Sequence, residues 1–403
     1  AAAWERLMAA RAVFRRARAD LYPQLDGFGS AEVRDGTGVD DETEFSLGLE
    51  ASYEVDLWGR IQSTVDAERL RASATEADYR TAAITLSAAV ALTWYQLAES
   101  RLQLELIESQ IETNLRVLEV LEKRFAVGQS GSADVLRQRQ LVESTREQAI
   151  VAQALVELFE HQLAVLEGRP PQGEEMYGST RLPNVRETPS TGLPSELLQR
   201  RPDVRSALFV LEAADEDVAA AVADQYPRID LAAALVTTAE DPSDLFSDWL
   251  ASLAGQIVAP LIDGGRRRAE VERTVAVRRQ RLAEYGQIVL DAFREVEDAL
   301  TQETYEVRRI SSLEQQLTIS RSTLQQLRSQ YLNGAADYID VLTALQEQQE
   351  IERSLLASRL DRVAFRIALY RALAGGFTTA RETAESSPDE GMGEYEEGAN
   401  VRG

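Results

Sequence analysis

Residues 45 to 57 alternate strictly between apolar and polar positions. Phe45, Leu47, Leu49, Ala51, Tyr53, Val55 and Leu57 form one set, and Ser46, Gly48, Glu50, Ser52, Glu54 and Asp56 the other. A period of two puts successive side chains on opposite faces, so this stretch predicts a β-strand with one apolar and one polar face. Tyr22 to Glu32 reads as a preceding strand, joined to it by a polar loop from Val33 to Thr43. A second block repeats the pattern. Ile229, Leu231, Ala233 and Leu235 alternate, a loop runs from Thr238 to Asp248, and Trp249, Ala251, Leu253, Ile257, Ala259 and Leu261 follow.

After each hairpin the period changes. Leu104, Ile107, Ile111, Leu118, Leu121 and Phe125 recur at the steps of a coiled-coil stripe. No proline falls between Gln24 and Arg169, or between Leu261 and Ser387. Proline is expelled from helix interiors, so two very long helices are permitted. The first, Arg60 to Val127, has no glycine, and the second, Arg266 to Asn333, has only Gly286. Each would be roughly 100 Å long, followed by a short turn and a shorter returning helix. Helices of that length need partners along their whole extent.

The two blocks are copies. At an offset of 206 residues the stripe becomes Ile310, Leu313, Leu317, Leu324, Leu327 and Tyr331, and its polar interruption Asn114 becomes Ser320. Gly128 maps to Gly334, Asp134-Val135-Leu136 to Asp340-Val341-Leu342, and Gly59-Arg60 to Gly265-Arg266. Tyr22-Pro23 maps to Tyr226-Pro227 at an offset of 204. Generic heptads would not lock to the same landmarks, so the chain is an internal duplication.

Composition narrows the function. A net charge of −24 opposes nucleic-acid binding, because phosphates are repelled. There is no cysteine, which removes disulfides and thiolate chemistry. The one histidine, His161, lies in a charged helical stretch without a nucleophile constellation, and Lys123 is the one lysine. An enzyme is disfavoured, and neither a metal nor a cofactor is expected. No run of ~18 apolar residues appears, so no membrane-spanning helix is expected. The chain opens in what reads as mid-helix, which suggests a truncated or processed N-terminus, and 378–403 reads as a disordered acidic tail.

The strands leave two alternatives. Their apolar face meets either a soluble core or lipid. In lipid, open sheet edges are forbidden and four strands cannot close a barrel. Membrane-spanning strands would therefore require several copies to close one sheet.

Six segments bear a resemblance. They are Tyr53-Glu-Val-Asp-Leu-Trp-Gly-Arg60, Leu193-Pro-Ser-Glu-Leu-Leu-Gln-Arg-Arg-Pro-Asp-Val204, Ala223-Asp-Gln-Tyr-Pro-Arg-Ile229, Pro260-Leu-Ile-Asp-Gly-Gly-Arg266, Ala292-Phe-Arg-Glu-Val-Glu-Asp-Ala-Leu300 and Tyr331-Leu-Asn-Gly-Ala-Ala-Asp-Tyr-Ile-Asp-Val-Leu342. In this order they resemble the TolC-like outer-membrane factors, in particular the RND-type efflux (OprM/NodT-like) subgroup, over roughly residues 1 to 377. The resemblance implies an α+β membrane protein: a homotrimer sharing one twelve-stranded transmembrane β-barrel, four strands per protomer, continued by an α-helical coiled-coil tunnel in the periplasm. Its partners would be a periplasmic adaptor (membrane fusion) protein, an inner-membrane RND pump and outer-membrane lipid. Many relatives are lipoproteins anchored through an N-terminal cysteine, which this sequence lacks.

Pattern and resemblance together divide the chain into a periplasmic helix of the first repeat (1–20), a barrel hairpin (21–58), a long helical hairpin (59–168) and an equatorial linker (169–201). A periplasmic helix of the second repeat (202–225), a second barrel hairpin (226–263), a second helical hairpin (264–377) and the tail complete it. Pro202 suits the first position of a helix and Asp203 its first-turn dipole. The cluster Arg266, Arg267 and Arg268 sits where the dipole disfavours cations, so carboxylates are expected beside it.

The two helical turns, Arg124 to Leu136 and Gln330 to Leu342, are the candidate sites. The resemblance assigns adaptor contact to tip residues Arg124, Gly128, Asp134, Tyr331, Gly334 and Asp337. It places Asp340 at a ring-forming gate, with Ile339 beside a hydrophobic constriction; the relatives' second aspartate is Thr343 here. Three carboxylates in a ring would attract cations. The competing assignment makes Asp340 a capping or tip-packing residue. The implied function is a passive outer-membrane channel of a tripartite efflux system. The alternatives are the duct of a type I secretion system and a periplasmic coiled-coil structural protein.

Overall fold

The computed structural model describes residues 1–36, 39–171, 181–185 and 199–373. The tail 378–403 and residues 193–198 of the Leu193–Val204 segment lie outside the described residues. In chain order the elements are α1 (Ala2–Ala19), β1 (Gln24–Gly36), β2 (Val39–Val55), α2 (Arg60–Ala126), α3 (Ser132–Leu166), α4 (Pro202–Ala223), β3 (Arg228–Ala239), a 3-10 turn (Pro242–Asp244), β4 (Leu250–Val258), α5 (Arg266–Leu332) and α6 (Tyr338–Leu373). The two long helices expected within the proline-free stretches are α2 and α5, each of 67 residues. The described residues fall into two compact units, those within 1–82 and 201–291 and those within 83–200 and 292–403.

The first unit carries one antiparallel sheet of order β1-β2-β3-β4. Directly paired residues share a face, so the register decides what each face shows. One face carries the rows Leu25-Ala51-Ala233-Leu253, Gly27-Leu49-Leu235-Ala251 and Val55-Ile229-Ile257. The other carries Asp26-Glu50-Ala234-Ser252, Ser30-Ser46-Thr238 and Glu54-Asp230-Gln256. The apolar face is uncovered: Leu253 is 83% exposed and Ile257 71%. The hairpin loop is much shorter than the polar stretch from Val33 to Thr43 suggested. β1 runs to Gly36 and β2 begins at Val39, with a register shift between Arg34 and Gly36. Backbone pairing is indifferent to side-chain polarity, so the ladder continues past the last apolar position. β2 stops at Val55 and β4 at Val258, short of the alternation limits at residues 57 and 261.

Gly48 shows why one position of the polar face has no side chain. A Cβ there would lie 2.8 Å from the Phe28 ring and 2.9 Å from the Leu235 carbonyl oxygen. The ring could swing away, but the carbonyl belongs to the ladder. Gly48→Ala is therefore expected to cost about 1–3 kcal/mol, the usual penalty for overfilling a packed site, measured as a lower thermal midpoint than wild type. An unchanged midpoint would mean the sheet gives way there.

At the foot of the sheet, side chains tie the repeats together. The Trp58 indole N–H donates to the Pro227 carbonyl at 2.7 Å, and its ring stacks on Tyr226 at 4.9 Å. Asp56 caps α2, accepting from the backbone N–H of Ile61 (3.0 Å) and Gln62 (2.7 Å). Asp263 caps α5, accepting from Gly265 (3.0 Å) and Arg267 (3.3 Å). The Arg267 backbone N–H, then that of Gly265 and the Arg267 guanidinium, hold the Asp263 carboxyl below the usual carboxylate range. The expected compensation of the arginine cluster centres on Arg267, which also bonds Asp224 at 3.0 Å. Pro202 opens α4, and Asp203 accepts from the flanking Arg201 at 2.6 and 3.1 Å. Burial pushes the Asp203 carboxyl up, but the Arg201 guanidinium and the Val204 N–H outweigh it and lower the pKa.

The second unit packs the tip-side lengths of α2 and α5 with α3 and α6. Near the turns one core takes Leu121, Val135 and Leu141 from the first hairpin and Leu324, Val341 and Leu345 from the second. α2 and α3 are each long enough, and over one stretch apolar enough by composition alone, to meet the description of a membrane-crossing helix. Isolated polar residues interrupt both stretches, so neither helix contains an unbroken apolar run of that length. Ile150, Val151 and Leu158 on α3 are more than half exposed, so this helix still has an apolar face to cover.

Candidate functional site: the helical turns

Both turns reverse the chain in the same way. Gly128 (φ 74°) and Gly334 (φ 72°) occupy the left-handed region that favours glycine. The Gly128 N–H donates to the Phe125 carbonyl and the Gln129 N–H to that of Arg124, at 2.9 and 2.8 Å. Gly334 to Tyr331 and Ala335 to Gln330, at 3.1 and 2.8 Å, repeat this pair at equivalent positions. These are the two bonds of a Schellman helix end, so the duplication extends to the hydrogen bonding of the turn.

The returning helices start differently. Asp134 folds back to accept from the Gly131 N–H (3.4 Å) and the Ser130 hydroxyl (3.3 Å), so it caps α3. Its counterpart Asp340 is exposed on the first turn of α6, and its carboxylate has no hydrogen bond or ion pair among the described residues. Ile339 beside it is 41% exposed, and Asp337 is exposed too. Arg124 and Tyr331 come together, the guanidinium lying 4.9 Å from the ring centroid. Neither the Arg124 Nε nor the Tyr331 hydroxyl, both buried, has a hydrogen-bond partner among the described residues. A shallow groove opens beside them, lined by Val117, Val120, Leu121, Leu332 and Val341.

Behind the turns lies a buried polar network that the sequence signalled at one residue only. Tyr331 leans on Tyr338 at 5.6 Å, and the Tyr338 hydroxyl donates to Gln138 Oε1 at 2.5 Å. Burial pushes the Tyr338 hydroxyl well above its ordinary range, so it stays a donor. Gln138 donates to the Asn114 carbonyl at 2.7 Å, and the Asn114 side chain exchanges bonds with Gln349 at 2.9 and 3.4 Å and donates to Thr145 at 3.0 Å. Asn114, Gln138, Thr145 and Gln349 are all at most 3% exposed. Asn114 was visible as the polar break in an apolar stripe. Its partners Gln138, Thr145 and Gln349 sit among other polar residues and carried no pattern. His161 is exposed on α3, and no group of three or more metal-ligating side chains gathers among the described residues.

The sequence matches the family described as Outer membrane efflux protein over residues 1–169 and 193–375. It is 32% identical over 379 residues to the cation efflux system protein CusC of Escherichia coli O6:H1, covering 91% of this chain and 81% of the relative. It is also 32% identical to the pyoverdine export outer membrane protein OpmQ of Pseudomonas aeruginosa, covering 88% of this chain and 74% of that protein. The solved outer-membrane channel OprN superposes with a TM-score of 0.88 at 30% identity, covering 93% of this chain and 86% of that one. The chain belongs to the outer membrane efflux protein family.

Proposed function

We propose that three copies of this chain share one twelve-stranded barrel in the outer membrane and that their helical hairpins form a periplasmic tunnel, the passive exit duct of a tripartite RND-type efflux system. The observation that carries the reading is the four-stranded sheet, with an apolar face open to its surroundings and two edge strands, β1 and β4, unpaired among the described residues. Lipid accepts the apolar face, and only neighbouring copies can satisfy the edges. The polar face then lines the water-filled interior. The exposed apolar residues of α3 are covered by a neighbouring copy. The tips, with Arg124, Gly128, Asp134, Tyr331, Gly334 and Asp337, receive the adaptor, and the energy comes from the inner-membrane pump. The relatives' names span cations and pyoverdine, which fits a duct whose cargo is chosen elsewhere in the system.

In this reading Asp340 and Ile339 form the gate, three carboxylates converging on the axis. The free Asp340 carboxylate, against the engaged one of Asp134, supports that role. Reconstitution in planar bilayers tests both levels. Wild type is expected to conduct with a preference for cations. Asp340→Ala is expected to shift the reversal potential in a salt gradient toward the non-selective value. A conducting wild type with an unmoved potential in the variant removes Asp340 from the gate. A detergent-extracted trimer that never conducts overturns the duct.

A further inference from the structure

The two hairpins are copies, and α2 already touches α6 through Asn114–Gln349 and Gln110–Arg353, so proximity alone does not decide which returning helix lies along the charged flank of each outgoing helix. The apolar stripes do not discriminate, because they match position for position at the 206-residue offset. The charges do. In the first hairpin Arg101 of α2 meets Glu160 of α3 at 2.6 Å, and Glu122 of α2 meets Arg139 of α3 at 2.7 Å. In the second, Glu303 of α5 holds Arg366 of α6 in a two-pronged contact, with Nε to Oε2 at 3.0 Å. Three more pairs follow toward the turn: Arg309–Asp361 (3.4 Å), Glu314–Arg359 (3.3 Å) and Arg321–Glu352 (3.1 Å).

Arg366 is the counterpart of Glu160, so the duplicated position has opposite charge in the two returning helices. Pairing α2 with α6 in the hairpin register would put Arg101 against Arg366. Pairing α5 with α3 would put Arg139 against Arg328 and Glu160 within one turn of Glu303. Register is guarded in the same way. Sliding α6 by one heptad brings Glu314 against Glu352 in one direction and Arg321 against Arg359 in the other. Exposed pairs of this kind contribute little singly, but Glu303 and Arg366 are 3% and 6% exposed. A buried charge facing its like is severely destabilising.

We infer that these ion pairs are a pairing code: the reversed polarity between repeats directs each long helix to the returning helix of its own repeat and forbids exchange with the other, within one chain or between copies. The exchange between copies rests on the trimeric reading above; the code within one chain does not. Charge patterns at helix interfaces set partner choice in coiled coils by the same means.

Charge exchange in the full chain tests it. Arg366→Glu sets two buried glutamates against each other. It is expected to lower the ratio of folded to unfolded protein on the order of 1,000-fold or more in a denaturant titration, no less than removal of the guanidinium alone. The double variant Glu303→Arg with Arg366→Glu restores an opposite pair, and is expected to recover most of that loss. It also makes α6 resemble α3 at this position and removes two of the three clashes that oppose exchange, leaving Arg139 against Arg328. Exchange is read as the fraction of refolded chain lost to mispaired, protease-sensitive species. That fraction is expected to rise in the double variant, although its ion pair is intact, and to fall again when Arg101→Glu with Glu160→Arg restores the difference between the repeats. A stable single variant, a double variant that recovers nothing, or equal mispaired fractions in all backgrounds overturns the code. Bilayer conductance of the same samples reports the duct independently.

Discussion

Replacing Arg366 with alanine lowers the stability of the folded chain by about 3–5 kcal/mol, the range for stranding one member of a buried ion pair. Glu303 is 3% exposed, and Arg366 donates to both of its carboxylate oxygens. Without the guanidinium, the carboxylate keeps its desolvation penalty and loses its compensation. The pair need not be worth that much itself. Glu303→Leu with Arg366→Leu removes both charges and is expected to cost far less than the single change, since apolar replacements of buried pairs are often neutral. The first repeat already places Leu97, 1% exposed, at the position equivalent to Glu303. Denaturant titrations followed by helical circular dichroism compare the three proteins. A single variant as stable as the double would show that water reaches Glu303.

Asn114→Leu has the second largest expected effect, about 2–5 kcal/mol. The Asn114 side chain bonds Gln349 through both amide atoms and also reaches Thr145. Leucine fills a similar volume but strands the Gln349 amide, itself 3% exposed. Each buried polar group left without a partner costs about 1–3 kcal/mol. Hydrogen exchange distinguishes this from general loosening: amides of α2 around residue 114 and of α6 around residue 349 are expected to lose protection before those around Trp58 and Tyr226. Asn114→Ser, which copies Ser320 of the second repeat, is expected to lose less. If Asn114→Leu proves as stable as wild type, the network does not hold the two hairpins together.

Periodicity made the elements legible because each has a single repeating demand. The alternation of Phe45 to Val55 answers a two-faced sheet, and proline exclusion plus the stripe from Leu104 to Phe125 answers a long packed helix. Glycines marked the turns, since Gly128 and Gly334 need a conformation other residues avoid. What escaped were features in which polarity and position disagree. The strands continue through the stretch read as a loop, because backbone pairing leaves no trace in side-chain type. Gln138 and Gln349 are polar residues in polar surroundings along the chain and become core only through folding. Among the candidate tip residues, Asp134 and Asp340 share one sequence motif, yet one caps its helix and the other is free. Motif identity alone could not separate them.

The unequal strand lengths have a consequence for the outer mouth of the proposed barrel. β1 and β2 stay paired as far as Gly36 and Val39, whereas β3 joins the sheet only from Phe45 onward. Six residues of extended chain correspond to roughly 20 Å, so in a three-fold assembly the rim is crenellated: three tall flaps alternate with three low sills. A peptide tag spliced between residues 36 and 39 would stand proud of the cell surface for an antibody to find, and one placed between Thr238 and Asp248 would sit down in the notch between neighbouring flaps.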